Sequence, residues 1–264
     1  MAEERRSVLR RALHILDTCK EAQGGLSLSE ISRRSGVPLT TTHRIVTELH
    51  QWGGLERDDF GDYRIGLRLW EVAALAPRSV GLQRIALPFM QDLFEATHRG
   101  VHLAVREKDE VVFVERFVSP ETASERPRVG GRYPMHATAV GLVLLAHAPA
   151  ELQEEVIGGP LRSYTSRTCS NPRELRQVLA QIRRSGYAIS DRQINPAYAS
   201  LAAPIHNPDN TVVAALSLIV PHTESHTPNL AYLVQASARG ISNALGARRR
   251  RTRPRTPSAI RKGR

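Results

Sequence analysis

The stretch SLSEISRRSGVPLTTTHRIVTEL, residues 27–49, carries two helical periods on either side of one short break. Ser27-Leu28-Ser29-Glu30 reads as a capping box, in which the serine hydroxyl accepts from an early amide and Glu30 reaches back. A helix over about Leu28 to Arg34 follows, and Ser35-Gly36-Val37-Pro38 breaks it. From Thr40 to Gln51 the positions Thr42, Ile45, Val46 and Leu49 again recur at helical spacing. Two helices joined by a short glycine-containing turn make a helix-turn-helix.

With Thr42, Ile45, Val46 and Leu49 toward a core, Thr40, Thr41, His43, Arg44 and Thr47 lie on the other faces of the later helix. Short hydroxyl side chains are poor choices for a helix interior. At the start of a helix that enters a DNA major groove they meet donors or acceptors, and arginine pairs with guanine. Thr40 and Thr41 as mere caps is the competing reading, and this segment alone leaves both open. Upstream, Val8, Leu9, Ala12, Leu13, Ile15, Leu16 and Cys19 mark an amphipathic first helix. Downstream, Leu55-Glu56-Arg57 and Tyr63-Arg64-Ile65 flank the turn-rich residues 58–62, so a β-hairpin follows the third helix as a wing carrying Arg57 and Arg64.

The whole chain has 264 residues, 41 % apolar and 24 % charged, which is an ordinary globular composition with room for one large or two modest domains. Disordered, collagenous and disulfide-scaffolded classes are excluded. The longest apolar run, residues 139–146, is far short of the roughly 20 residues a membrane span needs, and the opening MAEERR has no signal-peptide character. A soluble, cytoplasmic protein with no membrane partner is expected. The net charge of +11 is concentrated: residues 248–264 hold nine basic and no acidic side chains, whereas residues 1–80 carry 12 basic against 11 acidic and residues 81–246 carry 16 against 15. The tail reads as disordered, gripping phosphates or only solvating. Cys19 sits among apolar helix positions and reads as a core thiol, Cys169 in a polar stretch as a surface thiol; neither has metal-ligand spacing.

Beyond the wing, Leu67 to Ala76 continues as an apolar-rich helix before Pro77, a natural linker, and Leu82 to Thr97 is helical again. The period then changes. Val101 to Val105 and Val111 to Phe117 read as an antiparallel pair. Asn171-Pro172-Arg173-Glu174 is an N-cap, a first-turn proline and an early acid for a helix stopped at Gly186. Tyr187 to Ser190, Leu201 to Ile205 and Val212 to Val220 read as further strands, and Asn229 to Leu245 as a closing helix. The order is α+β, a mixed or antiparallel sheet with flanking helices.

Several stretches, in order, resemble one known family. Ser7 to Leu13, Leu28 to Ser32, Gly36-Val37-Pro38, Thr41 to Arg44 and Tyr63 to Gly66 look like the winged helix-turn-helix of the IclR family of bacterial transcription regulators. Val101 to Val105, Pro134 to Gly141, Tyr164 to Thr168, Arg183 to Ala188 and Leu201 to Ile205 look like that family's effector-binding domain, whose fold is similar to GAF domains. The resemblance implies a winged helix-turn-helix over 5–66, a linker helix over 67–80, an effector-binding domain over 81–246 and a basic tail over 247–264. It also implies a small-molecule effector, often an organic or aromatic acid, against Met135, His136, Ala137 and Thr138, with further contacts from Ser190, Tyr198, Ser200, Ser217 and Ile219. A helix N-terminus there makes physical sense as an anion site. This chain departs from the family at Leu39, where a lysine is common, at Ser200 for cysteine, Ser190 for aspartate, Ile219 for a second serine and Leu142 for lysine. One wall of the pocket is therefore expected to be less polar than in regulators of small keto acids.

The implied partners are double-stranded DNA with a pseudo-palindromic operator, a small-molecule effector and a second copy of the chain, as a homodimer or a dimer of dimers. No cofactor is implied. The apolar side chains of Leu67, Leu69, Trp70 and Leu75 offer a seam for the dimer. The alternative is an effector-independent DNA-binding protein whose C-terminal domain only dimerises. An enzyme reading would use Ser200, His136 and Asp191 as a triad, but no Gly-x-Ser-x-Gly elbow is present. His222 and His226 around Glu224, and likewise His98 and His102, have i, i+4 spacing. Prolines 221 and 228 and Gly100 argue against a shared helical face.

Overall fold

A computed structural model describes residues 7–22, 24–75, 77–120, 128–225 and 228–247. The chain divides between Val80 and Gly81 into two compact units. The charged tail beyond Ala247 lies outside the described residues.

The first unit contains α1 (Val8–Glu21), α2 (Leu28–Ser35), α3 (Leu39–Trp52), β1 (Leu55–Arg57), β2 (Tyr63–Ile65) and α4 (Leu67–Ala73). Ser27 caps α2 by accepting the Glu30 amide at 3.3 Å. The other half of the expected capping box is not made: the Glu30 carboxylate instead pairs with Arg33 and Arg34, both at 2.6 Å. Two guanidiniums one turn ahead compete successfully for a carboxylate that would otherwise bond one amide. Gly36 closes α2 at φ +66, a left-handed conformation that costs a side-chain-bearing residue energy. The Val37 carbonyl then accepts from both Ser32 (2.7 Å) and Thr42 (3.0 Å), fixing the turn between α2 and α3. Ile15, Ile31, Val46 and Leu55 are fully buried where the helices and β1 meet, each contributing about 1.5–3 kcal/mol by leaving water. The β1–β2 hairpin is antiparallel, Leu55 opposite Ile65, and Tyr63 exchanges both backbone hydrogen bonds with Leu26.

A single helix over 67–80 is not what forms. α4 ends at Ala73 and α5 (Pro77–Thr97) starts at the proline. Proline suits a first helical position, where its missing N–H leaves no bond unmade, so Pro77 opens a new helix.

The second unit is built on one six-stranded antiparallel sheet in the order β5-β4-β3-β8-β7-β6. Its strands are β3 (Gly100–Glu107), β4 (Glu110–Phe117), β5 (Arg132–Pro134), β6 (Ala188–Asp191), β7 (Tyr198–His206) and β8 (Val212–Pro221). The helices α6 (Ala139–Ala146), α7 (Ala150–Gly158), α8 (Pro172–Ser185) and α9 (Pro228–Ala244) complete it, with a single 3-10 turn at His222–Glu224. Side-chain alternation separates two cores. Leu201, Ala203, Ile205, Leu216, Leu218 and Val220 pack with Leu82, Met90 and Leu93 of α5 and with Val234, Ala238 and Ile241 of α9. On the other face, Ala104, Phe113, Ala202 and Ala215 pack with the wholly apolar α6 and with Leu175, Leu179 and Ile182 of α8. Asn171 caps α8 by accepting the Arg173 and Glu174 amides, and Gly186 ends it at φ +74.

Cys169 is buried in that second core rather than placed at the surface. Its polar neighbours turn back onto the chain: the Thr165 and Thr168 hydroxyls donate to the carbonyls of Arg192 and Gln193, both at 2.6 Å, and the Cys169 amide donates to the Gln193 side chain. Burial raises both thiol pKa values, that of Cys169 with help from Glu174.

Candidate functional site

Helix α3 buries Thr42, Ile45 and Val46, so Thr40, His43 and Arg44 stand exposed on the opposite side, with Thr41 and Thr47 half-buried at its edges. The cap position is Pro38, which makes no side-chain bond, so neither Thr40 nor Thr41 is spent as a cap. Thr42 is the hydroxyl with an internal role, donating to the Val37 and Pro38 carbonyls at 3.0 and 3.2 Å. The hairpin arginines have local duties. Arg64 pairs with Asp58 at 2.8 Å, and Arg57 donates to the Gly61 carbonyl at 3.1 Å. Asp58 also accepts the Phe60 and Asp62 amides, and these bonds, with Arg64, hold its pKa below the usual carboxylate value. The wing is a tied loop whose two arginines stay exposed while bonded.

In the second unit a cavity of about 400 Å³ opens beside the start of α6. Six of the nine positions implied by the resemblance line it: Thr138, Ser190, Tyr198, Ser200, Ser217 and Ile219. Met135, His136 and Ala137 do not. Met135 is fully buried in the core, the His136 ring bonds the Arg162 carbonyl at 3.0 Å, and Ala137 supplies the carbonyl that accepts from Ser190 at 2.8 Å. The turn as a whole adjoins the cavity, but only its last residue faces in. Thr138 caps α6 by accepting the Gly141 amide, while Ala139 and Val140, the first two residues of that helix, line the opening. A side chain on Gly141 would meet the Met135 carbonyl at 2.5 Å, so this close turn requires glycine.

Phe113, Tyr133, Ala199 and the loop residues Gln193, Ile194, Asn195 and Pro196 complete the lining, and no motif in the sequence points to them. Phe113 and Tyr133 meet edge to face at 5.5 Å. The loop has no periodicity to signal it; the hydroxyl bonds from Thr165 and Thr168 tether its start at the carbonyls of Arg192 and Gln193. No charged side chain lines the cavity among the described residues. The buried hydroxyls of Thr138, Ser190 and Ser217 do line it, and a buried imidazole adjoins Phe113 and Ser217 without lining it. His102 on β3 is 2 % exposed, and burial, assisted by the Arg116 charge, pushes its pKa down to about 3.

The side chains of the would-be triad are engaged apart from one another: His136 with a carbonyl, Asp191 with Arg192 at 2.8 Å, and Ser200 on the cavity wall. No group of three metal-ligating side chains occurs among the described residues. His222 begins a 3-10 turn and His226 is outside the described residues; His98 is exposed and His102 buried in a strand.

Comparison with known proteins agrees with both units. The IclR helix-turn-helix domain family matches residues 8–59, and the family described as bacterial transcriptional regulator IclR C-terminal matches residues 75–243. The chain is 30 % identical over 241 residues to the HTH-type transcriptional regulator XynR of Escherichia coli, covering 89 % of this chain and 96 % of that one. It is 31 % identical over 225 residues to the HTH-type transcriptional regulator KipR of Bacillus subtilis, covering 84 % and 90 %. Among solved structures, an IclR homologue from Microbacterium hydrocarbonoxydans complexed with 4-hydroxybenzoate superposes with a TM-score of 0.85 at 36 % identity, over 90 % of this chain and 99 % of that one. The Thermotoga maritima IclR structure, at 24 % identity and a TM-score of 0.74 over 90 % and 98 %, shares the fold.

Proposed function

The chain belongs to the IclR family of bacterial transcriptional regulators, and from that premise we propose that α3 reads operator DNA under the control of a small organic acid held in the cavity beside α6. The observation that carries the reading is the lining itself. The first amides of a helix have no partner within it and attract anions. Ala139 and Val140 bring that end of α6 to a cavity whose remaining walls are hydroxyls, amides, apolar side chains and three aromatic rings. A carboxylate at the helix start with a flat apolar body against Phe113 and Tyr133 suits such walls. The relative that holds 4-hydroxybenzoate makes that acid the first to try.

Thr40, Thr41, His43, Arg44 and Thr47 are proposed to meet the DNA, with Arg57 and Arg64 on the wing. The proposed divisions are a DNA-binding domain over 5–66, a connecting segment over 67–80 and an effector domain over 81–246. A single recognition helix buries little DNA, so a homodimer or dimer of dimers on a pseudo-palindrome is part of the reading. Trp70 and Leu75, 65 % and 82 % exposed, supply apolar surface for it. No helix among the described residues is long and apolar enough to cross a membrane, and we propose a cytoplasmic site of action. The reading includes no catalytic activity, because the relatives are regulators.

Isothermal titration of the full chain with a panel of small aromatic and aliphatic acids, 4-hydroxybenzoate first, tests the cavity. A ligand at 100 times its Kd stabilises a protein by about 2.7 kcal/mol, so binding also raises Tm. A panel that produces neither heat nor a Tm shift contradicts the reading.

A further inference from the structure

We propose that His102, acting through Ser217, lets the cavity select an effector that carries a hydroxyl group in addition to its acid. The proposal rests on the effector reading above. It begins from strand order. Phe113 on β4 and Ser217 and Ile219 on β8 line the cavity, and β3 runs between those two strands. Val101 and Leu103 of β3 belong to the core on the far side of the sheet, so His102 between them points to the cavity side. In register it stands opposite Ser217, and its ring meets the edge of Phe113 at 5.3 Å. The imidazole therefore adjoins two residues of the cavity wall without itself belonging to the lining.

His102 Nδ1 is buried without a hydrogen-bond partner, the sole such side-chain nitrogen or oxygen among the described residues. Buried polar atoms are almost always bonded, and an exception beside a binding cavity needs an explanation. Two other hydroxyls of the cavity, at the α6 end, are already committed, Ser190 to the Ala137 carbonyl and Thr138 to the Pro134 carbonyl and the Gly141 amide. Ser217, opposite His102 in register and on the cavity wall, makes no bond to Nδ1 as it stands, and a turn about its χ1 is what lets it bridge. Its hydroxyl donates to Nδ1 while its oxygen accepts the O–H of a bound molecule. A neutral imidazole offers an acceptor nitrogen for this, whereas a carboxylate has no proton to give Ser217. The effector class is thus a small hydroxy acid, its acid group at the start of α6 and its hydroxyl on Ser217. His102 is a positioning residue in this scheme, since it orients the serine and does not itself touch the ligand.

The test compares 4-hydroxybenzoate with benzoate, which lacks only the hydroxyl, by titration calorimetry on the full-length protein, His102→Phe, His102→Asn and Ser217→Ala. The wild type is expected to prefer the hydroxy acid by about tenfold or more. That ratio falls to about one in His102→Phe and Ser217→Ala and returns in part in His102→Asn, which keeps an acceptor. A ratio unchanged in His102→Phe, including equal weakening of both acids, overturns the proposal and leaves the effector reading intact. So does a wild type that binds both acids equally. A wild type that binds neither acid overturns the effector reading and the proposal with it. Should His102→Phe fail to fold, the ¹⁵N shift of Nδ1 in the wild type decides: it moves on adding 4-hydroxybenzoate and not benzoate, and equal response to both is contrary.

Discussion

His102 and Ser217 face each other across the β3–β8 ladder, one buried without a partner for Nδ1 and the other on the wall of the cavity. Their placement has a consequence for stability that needs no ligand. Burial, with Arg116 adding to it, holds the His102 pKa at about 3, against 6.5 for an ordinary histidine. Between those values the unfolded chain binds a proton that the folded chain does not, so this residue's contribution is complete above about pH 6.5 and is lost as pH falls toward 3. The slope is about 1.4 kcal/mol per pH unit. The stability of the wild type relative to His102→Phe should therefore drop by roughly 2 kcal/mol between pH 7.5 and pH 5 in urea unfolding. A pH-independent difference would show that His102 titrates normally.

Arg44 projects from α3 on the side away from Thr42, Ile45 and Val46. Arg44→Ala should cost about 1–3 kcal/mol of binding to DNA from the protein's own promoter, measured by anisotropy, with a smaller loss on random duplex. Equal loss on both would make Arg44 a phosphate contact.

Thr42 differs from its neighbours Thr40 and Thr41 in being structural. Thr42→Val removes the bonds to the Val37 and Pro38 carbonyls and should destabilise the first unit by about 1 kcal/mol, read as a lower denaturation midpoint. An unchanged midpoint would mean that the turn between α2 and α3 is held by its backbone alone.

These contrasts show what sequence carries and what it does not. The helices around residues 27–49 were readable because each end has a chemical signal: Ser27 at the start of α2, Gly36 at its left-handed stop, and core residues at helical spacing in α3. Glu30 misled because a capping box and a pair of i+3 and i+4 arginines make incompatible claims on one carboxylate, and spacing alone does not rank them. The cavity was half legible. Ser200 and Ser217 lie on strands with clear alternation, but Gln193 to Pro196 form an aperiodic loop whose start is tethered by hydroxyls almost 30 residues upstream. In the sequence His102 is one of a spaced pair of histidines. Its place between Phe113 and Ser217 follows from the strand order β4-β3-β8, a non-local arrangement that no local pattern encodes.

Trp70 and Leu75 expose apolar surface that solitary domains seldom leave to water. Light scattering at micromolar concentration should return at least a dimer, and Trp70→Glu should shift it toward monomer while leaving helix content unchanged. A monomeric wild type that binds DNA one to one would refute the assembly.

Occupancy of the cavity beside α6 is expected to change DNA binding, and a single titration reads this out. DNA from the protein's own promoter is bound with and without saturating effector acid, in the wild type and in Ser200→Trp, whose indole fills the cavity. The acid is predicted to change the wild-type affinity by at least about fivefold, the lower range of allosteric coupling, and to leave Ser200→Trp unaltered. A folded Ser200→Trp protein that responds to the acid as the wild type does would show that the effector does not act from this cavity.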